Sequence, residues 1–372
     1  STRDWSSDVC SSDLSHRVWC VVSLPALRSN LRALRSYSPR GTRILAVVKD
    51  NAYGHGLVPV ARALAQAGCE EFGVACAAEG EELRGAGIRN PILLLGSTLS
   101  SEFPVALQHR LTVTLSSMTE AHELARAATR ARRTALVQIK LNTGMNRLGA
   151  RLPEFQQILS FVNRHPRLDL VGTFTHLASA DSDLSFTRRQ INDTSTLPAS
   201  MARHWANSAA ILQRLPGNRT HARPGLGLYG ISPLPRHSSK LRPVLSWKSR
   251  VLLVRNLPKG ETISYGGTFR APRRMKVATV ATGYAHGLPR SLSNRGQALI
   301  HGYRCPILGR VTMDMTLVDV THLPRVKRYD EVVWLGRSGK RAQTAADMAR
   351  DAGTIPWEIF TRISPNLPRI FA

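Results

Sequence analysis

Short apolar runs alternate with longer amphipathic stretches up to about residue 233. The runs have the Val, Ile and Leu content of buried strands, and the stretches place apolar residues every three or four positions, as helices do. The predicted strands are 19–22, 44–48, 72–76, 91–95, 111–115, 135–141, 168–174 and 221–225. The predicted helices are 24–34, 57–67, 78–86, 119–129, 154–162 and 208–215. Roughly eight strands in alternation with helices favour an α/β fold, a closed (β/α)8 TIM-type barrel, over an open doubly wound sheet.

Beyond about residue 233 the pattern changes to short strands separated by turn residues. Strands are predicted at 251–254, 276–280, 297–300, 317–320 and 331–335, followed by a helix at 345–352. We therefore predict a barrel over 16–238 and a C-terminal, mostly-β domain over 239–372. The short strand at 19–22 can join the β domain instead. Residues 1–15 are rich in Ser and Asp and lack the apolar segment of a signal peptide, so we expect a non-native or disordered leader.

Basic residues outnumber acidic residues by 51 to 25, which gives a net charge of +26. A nucleic-acid-binding protein concentrates its basic residues on one face and adds aromatic stacking platforms. Here the basic residues are mostly arginines, spread over every segment in pairs at most, and aromatic residues make up 6% of the chain. We expect a solvated, arginine-rich surface that adheres to polyanions at low salt, with no specific nucleic-acid partner.

The five cysteines are odd in number and lack the spacing of metal ligands, so no metal site is predicted. This usage fits free thiols in a reducing compartment, and we expect a cytoplasmic protein. No apolar run approaches the roughly 20 residues needed to span a bilayer, so no membrane partner is expected.

Lys49 directly follows the apolar strand 44–48 and precedes a polar, glycine-containing turn. Burial disfavours the charged form of a lysine, and a neutral amine can attack an aldehyde to form a Schiff base. The alternative is a lysine that reaches solvent past the strand end, and position alone does not separate the two. Lys140, His176 and Arg223 also fall at the ends of predicted strands, where barrel enzymes carry their chemistry.

Seven short motifs follow one another along the chain. They are AYGHG at 52–56 after Lys49, KLNTGMNRLG at 140–149, THLA at 175–178, NSAA at 207–210, RPGLGLYG at 223–230, SYG at 264–266 and GRVTMDM at 309–315. In this order they resemble the motifs of the alanine racemase family, fold-type III enzymes that use pyridoxal 5′-phosphate (PLP). One such motif is weak evidence, whereas seven in order are strong. The resemblance implies a PLP-dependent amino-acid racemase, which is an isomerase.

The resemblance implies two proton carriers on opposite faces of the substrate. Racemisation removes the Cα proton from one face of the amino acid and returns a proton to the other, while the cofactor ring spreads the negative charge. Lys49 matches the lysine that carries the cofactor and acts as one base, and Tyr265 matches the opposite base. His176 matches the histidine that hydrogen-bonds this tyrosine. Arg223 matches the arginine set against the pyridine nitrogen, which it keeps unprotonated, and this limits side reactions such as transamination.

The resemblance also implies the other contacts of cofactor and substrate. Matches to residues around the phosphate are Tyr53, Ser208, Gly225, Leu226 and Trp357. Matches to substrate-binding residues are Arg147, Met313, Asp314 and Tyr284. Arg147 would also contact the phenolate oxygen of PLP, and Lys140 matches a lysine that is carbamylated in many members and steadies that arginine. Because the β domain of the family reaches the cofactor of the other subunit, a homodimer with shared active sites is implied.

Three positions depart from the family pattern. His286 stands where the family has aspartate, Trp357 replaces a tyrosine of the phosphate site and substrate gate, and Asn142 replaces an aspartate of the second motif. Tryptophan keeps a hydrogen-bond donor but is bulkier than tyrosine. None of the three changes affects a predicted base, so we expect altered efficiency or substrate size rather than lost activity.

The function expected from these features is interconversion of L-alanine and D-alanine, supplying D-alanine for peptidoglycan. One alternative is a racemase of broad or basic amino-acid specificity. A second is a non-catalytic PLP-binding protein, which would resemble the barrel alone and would lack Tyr265, Met313 and Asp314. A third is a basic nucleic-acid binder, which the scattered arginines disfavour.

Overall fold

A short strand, β1 (Val18–Val22), precedes a closed barrel of eight parallel strands. This computed structural model describes residues 16–198, 201–217 and 219–372, so the predicted leader at 1–15 lies outside the described residues. The barrel strands are β2 (Arg43–Val47), β3 (Glu71–Val74), β4 (Ile92–Leu94), β5 (Thr112–Leu115), β6 (Ala135–Lys140), β7 (Leu168–Phe174), β8 (Ala202–Ala206) and β9 (His221–Ala222). Strands adjacent in the chain pair with each other, and β9 closes the ring by pairing with β2.

Helices pack around the barrel on its outer side. They are α1 (Leu24–Tyr37), α2 (Leu57–Gln66), α3 (Ala77–Gly85), α4 (Phe103–Gln108), α5 (Met118–Arg130), α6 (Leu152–Arg164), α7 (Leu184–Asp193) and α8 (Ser208–Leu212). In α5 the Ser117 side chain caps the first turn by accepting the Glu120 N–H, and an Ala/Leu stripe from Ala121 to Ala128 is buried. The cap satisfies an end group of the helix, and the apolar stripe supplies its packing face.

One barrel strand was absent from the sequence prediction, and one predicted strand lies elsewhere. The strand predicted at 19–22 is β1, which pairs antiparallel with β10 (Leu245–Leu257) of the β domain. The missing eighth strand is β8, which carries the buried polar residues Arg203 and His204 and therefore shows no apolar run. The sequence analysis allowed the strand at 19–22 to join the β domain, where it lies, whereas β8 was not predicted.

The C-terminal part is a mostly-β domain built on the long strand β10. Further strands are β11 (Thr262–Ile263), β12 (Phe269–Arg270), β13 (Met275–Val280), β14 (Gln297–Ile300), β15 (Tyr303–Pro306), β16 (Thr316–Asp319), β17 (Glu331–Ser338), β18 (Arg341–Gln343) and β19 (Arg369–Phe371). Two helices follow β18, namely α9 (Ala345–Ala352) and α10 (Pro356–Arg362). Trp247 and Trp334 fill the interior, and the Trp334 indole N–H donates to Ser249. The predicted fold class, a barrel followed by a mostly-β domain, is confirmed.

The chain forms two compact units. One is the barrel, Leu24–Arg242, and the other combines 16–23 with Pro243–Ala372. The finer domain limits inferred from the sequence, 16–238 and 239–372, stay predictions. Within the described residues, no helix is long and apolar enough to cross a membrane.

Candidate active site

Three basic side chains and one histidine gather at the carboxyl-terminal end of the barrel strands. Lys49 follows β2, Lys140 ends β6, His176 follows β7 and Arg223 follows β9. Arg223 Nη2 lies 3.2 Å from His176 Nδ1, and the charges of both Arg223 and Lys49 act on Lys140. The barrel therefore brings residues that are far apart in the sequence into one cluster.

Arg223 is the buried centre of this cluster. Its Nη1 lies 2.5 Å from Nδ1 of His204, and its Nη2 donates to the Thr175 carbonyl at 2.7 Å. The guanidinium also lies over the Phe174 ring, 5.1 Å from the centroid. Burial lowers the pKa of Arg223, yet the group stays protonated at neutral pH because its ordinary value is above about 12. It is a fixed hydrogen-bond donor at the floor of the site.

Arg223 determines the tautomer and the protonation state of His176. A guanidinium has no acceptor, so Nδ1 of His176 must accept from it, and the proton of the neutral ring sits on Nε2. Burial and the surrounding cations, Arg223 first among them, lower the pKa of His176 to about 3. His176 is therefore a neutral imidazole at physiological pH, with an Nε2 proton to donate.

The position of Lys49 left a buried and a solvent-reaching environment open, and the structure shows it partly exposed, whereas the buried amine is that of Lys140. The Lys49 side chain is 40% exposed and lies 3.4 Å from the Asp50 carboxylate, because β2 ends two residues before it. Lys140 is the last residue of β6 and is buried, with its amine over the Phe174 ring. Burial first, and then the charges of nearby cations, lower the pKa of Lys140 to about 8.

The turn after Lys49 is a left-handed helical turn. Residues Asp50, Asn51, Ala52 and Tyr53 all have φ between 53° and 54°. Each L-residue in this region costs about 1–2 kcal/mol, so such a run persists only where the surroundings fix it. The Glu79 carboxylate accepts the Asn51 N–H, and the Asn51 side chain accepts the Leu57 N–H. The turn directs Tyr53 into the barrel, where its ring packs against Tyr229 with centroids 4.8 Å apart.

Ser208, Gly225 and Tyr53 form a small polar pocket beside the cluster. Ser208 Oγ accepts the N–H groups of Gly225 and Gly227, each at 3.1 Å. A Cβ at Gly225 would lie 2.6 Å from the Tyr53 hydroxyl, so only glycine lets the backbone approach that group. Burial raises the pKa of Tyr53, which keeps its hydroxyl a donor. The hydroxyls of Ser208 and Tyr53 are donors of the kind that bind a phosphate.

The donor set of the barrel fits PLP. The two lysine amines can react with its aldehyde, and the pocket of Ser208, Gly225 and Tyr53 can hold its phosphate. The buried guanidinium of Arg223 can donate to its ring nitrogen. Among the described residues, no group of three or more His, Cys, Asp or Glu side chains is arranged to hold a metal ion.

Asn142 organises the loop that carries Arg147. Its Oδ1 accepts the N–H groups of Gly144 and Asn146, and its Nδ2 donates to the Asn146 side chain. Asparagine thus supplies the capping that an aspartate would supply, without the negative charge. Arg147 is exposed, and its charge adds to those that lower the pKa of Lys140 and His176.

The predicted residues of the β domain form a second group within that domain. The loop 309–315 joins them, since the Arg310 carbonyl accepts from Ser264 beside Tyr265, and the Thr312 and Met313 carbonyls accept the N–H groups of the turn Tyr284–His286. Tyr265, with 72% exposure, is accompanied by exposed Tyr284, Met313, Asp314 and Met315. An exposed set of aromatic and methionine side chains on one loop system is typical of a surface that meets a partner.

The remaining departures, His286 and Trp357, also lie in the β domain. His286 Nδ1 accepts the Gly283 N–H, so the histidine closes its own turn, and its carbonyl accepts from Ser364. Burial lowers the pKa of His286, and the charge of Asp314 opposes this shift. Trp357 is half-buried in the first turn of α10.

Phe174, His204 and Gln138 also belong to this cluster but were not predicted as site residues. Phe174 lies under Lys140 and Arg223, and it stacks on His204 with centroids 4.9 Å apart. Phe174 ends β7, and its two-residue offset from His176 could have indicated an inward position. His204 could not be found in this way, because β8 itself was not predicted.

Comparisons with known proteins agree over nearly the whole chain. The family described as "Alanine racemase, N-terminal domain" matches residues 22–233, and "Alanine racemase, C-terminal domain" matches 244–371. The chain is 39% identical to the alanine racemase of Methylacidiphilum infernorum over 363 residues, which cover 97% of this chain and 94% of that protein. It is 41% identical to the alanine racemase of Symbiobacterium thermophilum over 364 residues, covering 95% and 96%.

Solved structures agree as well. The alanine racemase of Clostridium difficile 630 superposes with a TM-score of 0.90 at 32% identity, covering 96% of both chains. The alanine racemase of Bacillus anthracis, crystallised with bound L-Ala-P, superposes with a TM-score of 0.89 at 34% identity, covering 96% of this chain and 95% of that chain. The resemblance inferred from the seven motifs is confirmed. This chain belongs to the alanine racemase family.

Proposed function

We propose that this chain is a PLP-dependent alanine racemase that interconverts L-alanine and D-alanine. The observation that carries the proposal is the cluster at the barrel end, where Lys49 and Lys140 lie near a buried guanidinium that keeps His176 neutral. Bound PLP would supply an electron sink for the electron pair left at the substrate Cα. The protein residues hold the cofactor, orient the amino acid and move the proton.

Lys49 is proposed to hold the cofactor and to act as the base on one face of the substrate. The phosphate is proposed to lie in the pocket of Tyr53, Ser208, Gly225 and Leu226, with Trp357 as a further contact. The pyridine nitrogen would accept from Arg223, and because a guanidinium is a donor only, that nitrogen stays unprotonated. The ring is then a weaker electron sink, which limits side reactions.

Tyr265 is proposed to act as the base on the opposite face, contributed by the second subunit of a homodimer. An ordinary phenol with a pKa near 10 is a poor base at neutral pH, so it needs a donor that stabilises the phenolate. Neutral His176 has its Nε2 proton available for that purpose. Met313, Asp314 and Tyr284 would face the substrate from the same domain as Tyr265, and the exposure of this group supports a partner surface.

Lys140 is proposed to be carbamylated. Carbamylation needs an unprotonated amine, and a pKa of about 8 gives Lys140 a larger neutral fraction than an ordinary lysine with a value near 10.4. The modification converts a cation into an anion beside Arg147 and Arg223. The new carboxylate would steady Arg147, which would contact the cofactor oxygen and the substrate carboxylate.

The substrate and the cellular role are proposed from the chemistry of individual side chains. Alanine is the expected substrate, and a racemase of broader or basic amino-acid specificity is the second candidate, favoured if the changes at Trp357 and His286 open the substrate gate. D-alanine would serve peptidoglycan synthesis. Free cysteines at Cys20, Cys69, Cys76 and Cys305 support a reducing, cytoplasmic location.

A racemisation assay across alanine, serine, lysine and arginine tests the proposal. We expect PLP-dependent racemisation with alanine as the best substrate, and Lys49→Ala should abolish both the absorbance band of the lysine-bound cofactor and the activity. An unchanged spectrum in Lys49→Ala would refute the cofactor assignment. A preference for lysine or arginine would favour the second candidate.

A further inference from the structure

A glutamine and a histidine face each other inside the barrel, below the cationic cluster. Gln138 on β6 and His204 on β8 are 4% and 0% exposed, and Gln138 Oε1 lies 2.7 Å from His204 Nε2. On its other side, His204 Nδ1 lies 2.5 Å from Arg223 Nη1. A continuous chain of hydrogen bonds therefore runs from Gln138 through His204 to Arg223, and from Arg223 to His176.

The strand pairing is irregular at both Gln138 and His204. The β6–β7 pairing shifts between Val137 and Gln138, and the β8–β9 pairing shifts between His204 and Ala206. Such irregularities are rare in parallel sheets, and where they occur next to active sites they redirect side chains. A Cβ at Gly172 on β7 would lie 3.1 Å from Gln138 Cδ, so glycine leaves room for the amide.

The chemistry of Arg223 fixes which nitrogen of His204 carries the proton. The guanidinium can only donate, so Nδ1 must accept, and the proton of the neutral ring sits on Nε2. That Nε2–H is buried and needs an acceptor, which is Gln138 Oε1. Burial lowers the pKa of His204 well below its ordinary value, and the charges of Arg223 and His221 add to the effect. The apolar Phe174 ring stacks on His204, and the His221 ring lies edge-on to it with centroids 5.8 Å apart.

We propose that Gln138 is a positioning residue for racemisation: it accepts the Nε2 proton of His204, holds the imidazole in the tautomer that accepts from Arg223, and so orients the guanidinium. The step from guanidinium to pyridine nitrogen rests on the proposed function. The step from Gln138 to the His204 tautomer does not, because it depends only on contacts within the barrel.

Two variants separate this role from simple filling of the barrel interior. Gln138→Met keeps the length of the side chain but removes the acceptor. Gln138→Glu places a carboxylate against Nε2 and favours the imidazolium, in which both nitrogens are donors and Nδ1–H opposes Arg223. The matched control is Gln343→Met, which removes an equally buried glutamine whose amide donates to Gln297 and Trp334 carbonyls of the β domain.

The experiment measures ¹⁵N shifts of the histidine rings, assigned with His204→Gln, together with racemisation and transamination by the holoenzyme. The wild type and Gln343→Met should show the Nε2–H tautomer at His204 and the same number of racemisations per transamination. Gln138→Glu should show an imidazolium at His204. It should also have at least a tenfold lower kcat for racemisation and a changed number of racemisations per transamination. Gln138→Met should lose the hydrogen-bonded Nε2–H shift and change the ratio in the same direction.

An unchanged Nε2–H shift in Gln138→Met, or an unchanged ratio of racemisation to transamination despite a changed shift, would overturn the proposal. If Gln138→Glu fails to fold, Gln138→Met decides alone. If the wild type does not racemise any amino acid, the proposed function fails. The histidine signal would then still test whether Gln138 accepts the Nε2 proton of His204.

Discussion

The pocket of Tyr53, Ser208 and Gly225 gives the sharpest prediction on cofactor affinity. Gly225→Ala adds a Cβ that would lie 2.6 Å from the Tyr53 hydroxyl and 3.2 Å from its Cζ. Tyr53 is buried against Tyr229, so it cannot yield without disturbing that packing. Overpacking of this kind costs about 1–3 kcal/mol. The displaced hydroxyl would also lose a charge-assisted hydrogen bond to phosphate, worth about 1.5–3 kcal/mol.

We therefore expect Gly225→Ala to weaken PLP binding by about 10- to 150-fold from the lost hydrogen bond alone. Tyr53→Phe should weaken binding by a similar factor, because it removes the same hydroxyl. The two changes should not add. In the Tyr53→Phe background the closest contact is gone, so Gly225→Ala should cost less than in the wild type.

The assay is titration of the apo form with PLP, followed by absorbance, for the two single variants and the double variant. Gly85→Ala is the matched control, since a Cβ there meets nothing within 4 Å and the backbone is helical. It should leave PLP affinity unchanged. Equal, additive losses from Gly225→Ala in both backgrounds would refute the argument that this glycine acts through the Tyr53 hydroxyl.

Three further predictions concern charge. First, the lowered pKa values of His176 and His204 mean that the unfolded chain binds protons first as pH falls. The free energy of unfolding should therefore fall as the pH drops below about 6.5, with a slope approaching about 2.7 kcal/mol per pH unit. Urea unfolding at pH 7 and pH 5 tests this, and an equal loss of stability in His204→Gln would contradict it. Second, native mass spectrometry in bicarbonate at pH 8 should find one added CO2 per chain, absent in Lys140→Met, and no difference between the two would exclude carbamylation at Lys140. Third, Arg223→Lys should weaken the hold on His176 and raise transamination relative to racemisation, because one ammonium cannot reproduce the bonds to His204, Thr175 and His176. Retention of the wild-type ratio would show that the guanidinium geometry does not matter.

The sequence predicted the parts of the fold that depend on apolar periodicity. Strands such as β6 and β7 and helices such as α9 were predicted within one residue of their observed limits or better, because each shows an uninterrupted pattern. The strand β8 was missed because Arg203 and His204 occupy it, and the burial of His204 depends on Gln138 from β6. Polar residues inside a barrel look like loop residues until the fold supplies those partners.

The sequence indicated which residues belong to the candidate site, but not which of them are buried or which backbone conformation they adopt. Its position at a strand end made Lys49 a candidate, yet the buried amine belongs to Lys140. This difference depends on how far β6 extends compared with β2. The left-handed turn at 50–53 also could not be predicted, since Asp and Asn tolerate that conformation but Ala and Tyr disfavour it. The Glu79 carboxylate, outside the motif, helps to hold it by accepting the Asn51 N–H.

The central claim is that Lys49 and Tyr265 are two bases acting on opposite faces of alanine. Its most direct test is exchange of the Cα hydrogen with deuterium in D2O, measured separately for L-alanine and D-alanine with the Tyr265→Phe holoenzyme. The account predicts that PLP stays bound, that racemisation stops, and that exchange is lost for one enantiomer while Lys49 still exchanges the other. Equal exchange of both enantiomers, at wild-type rates, would contradict it.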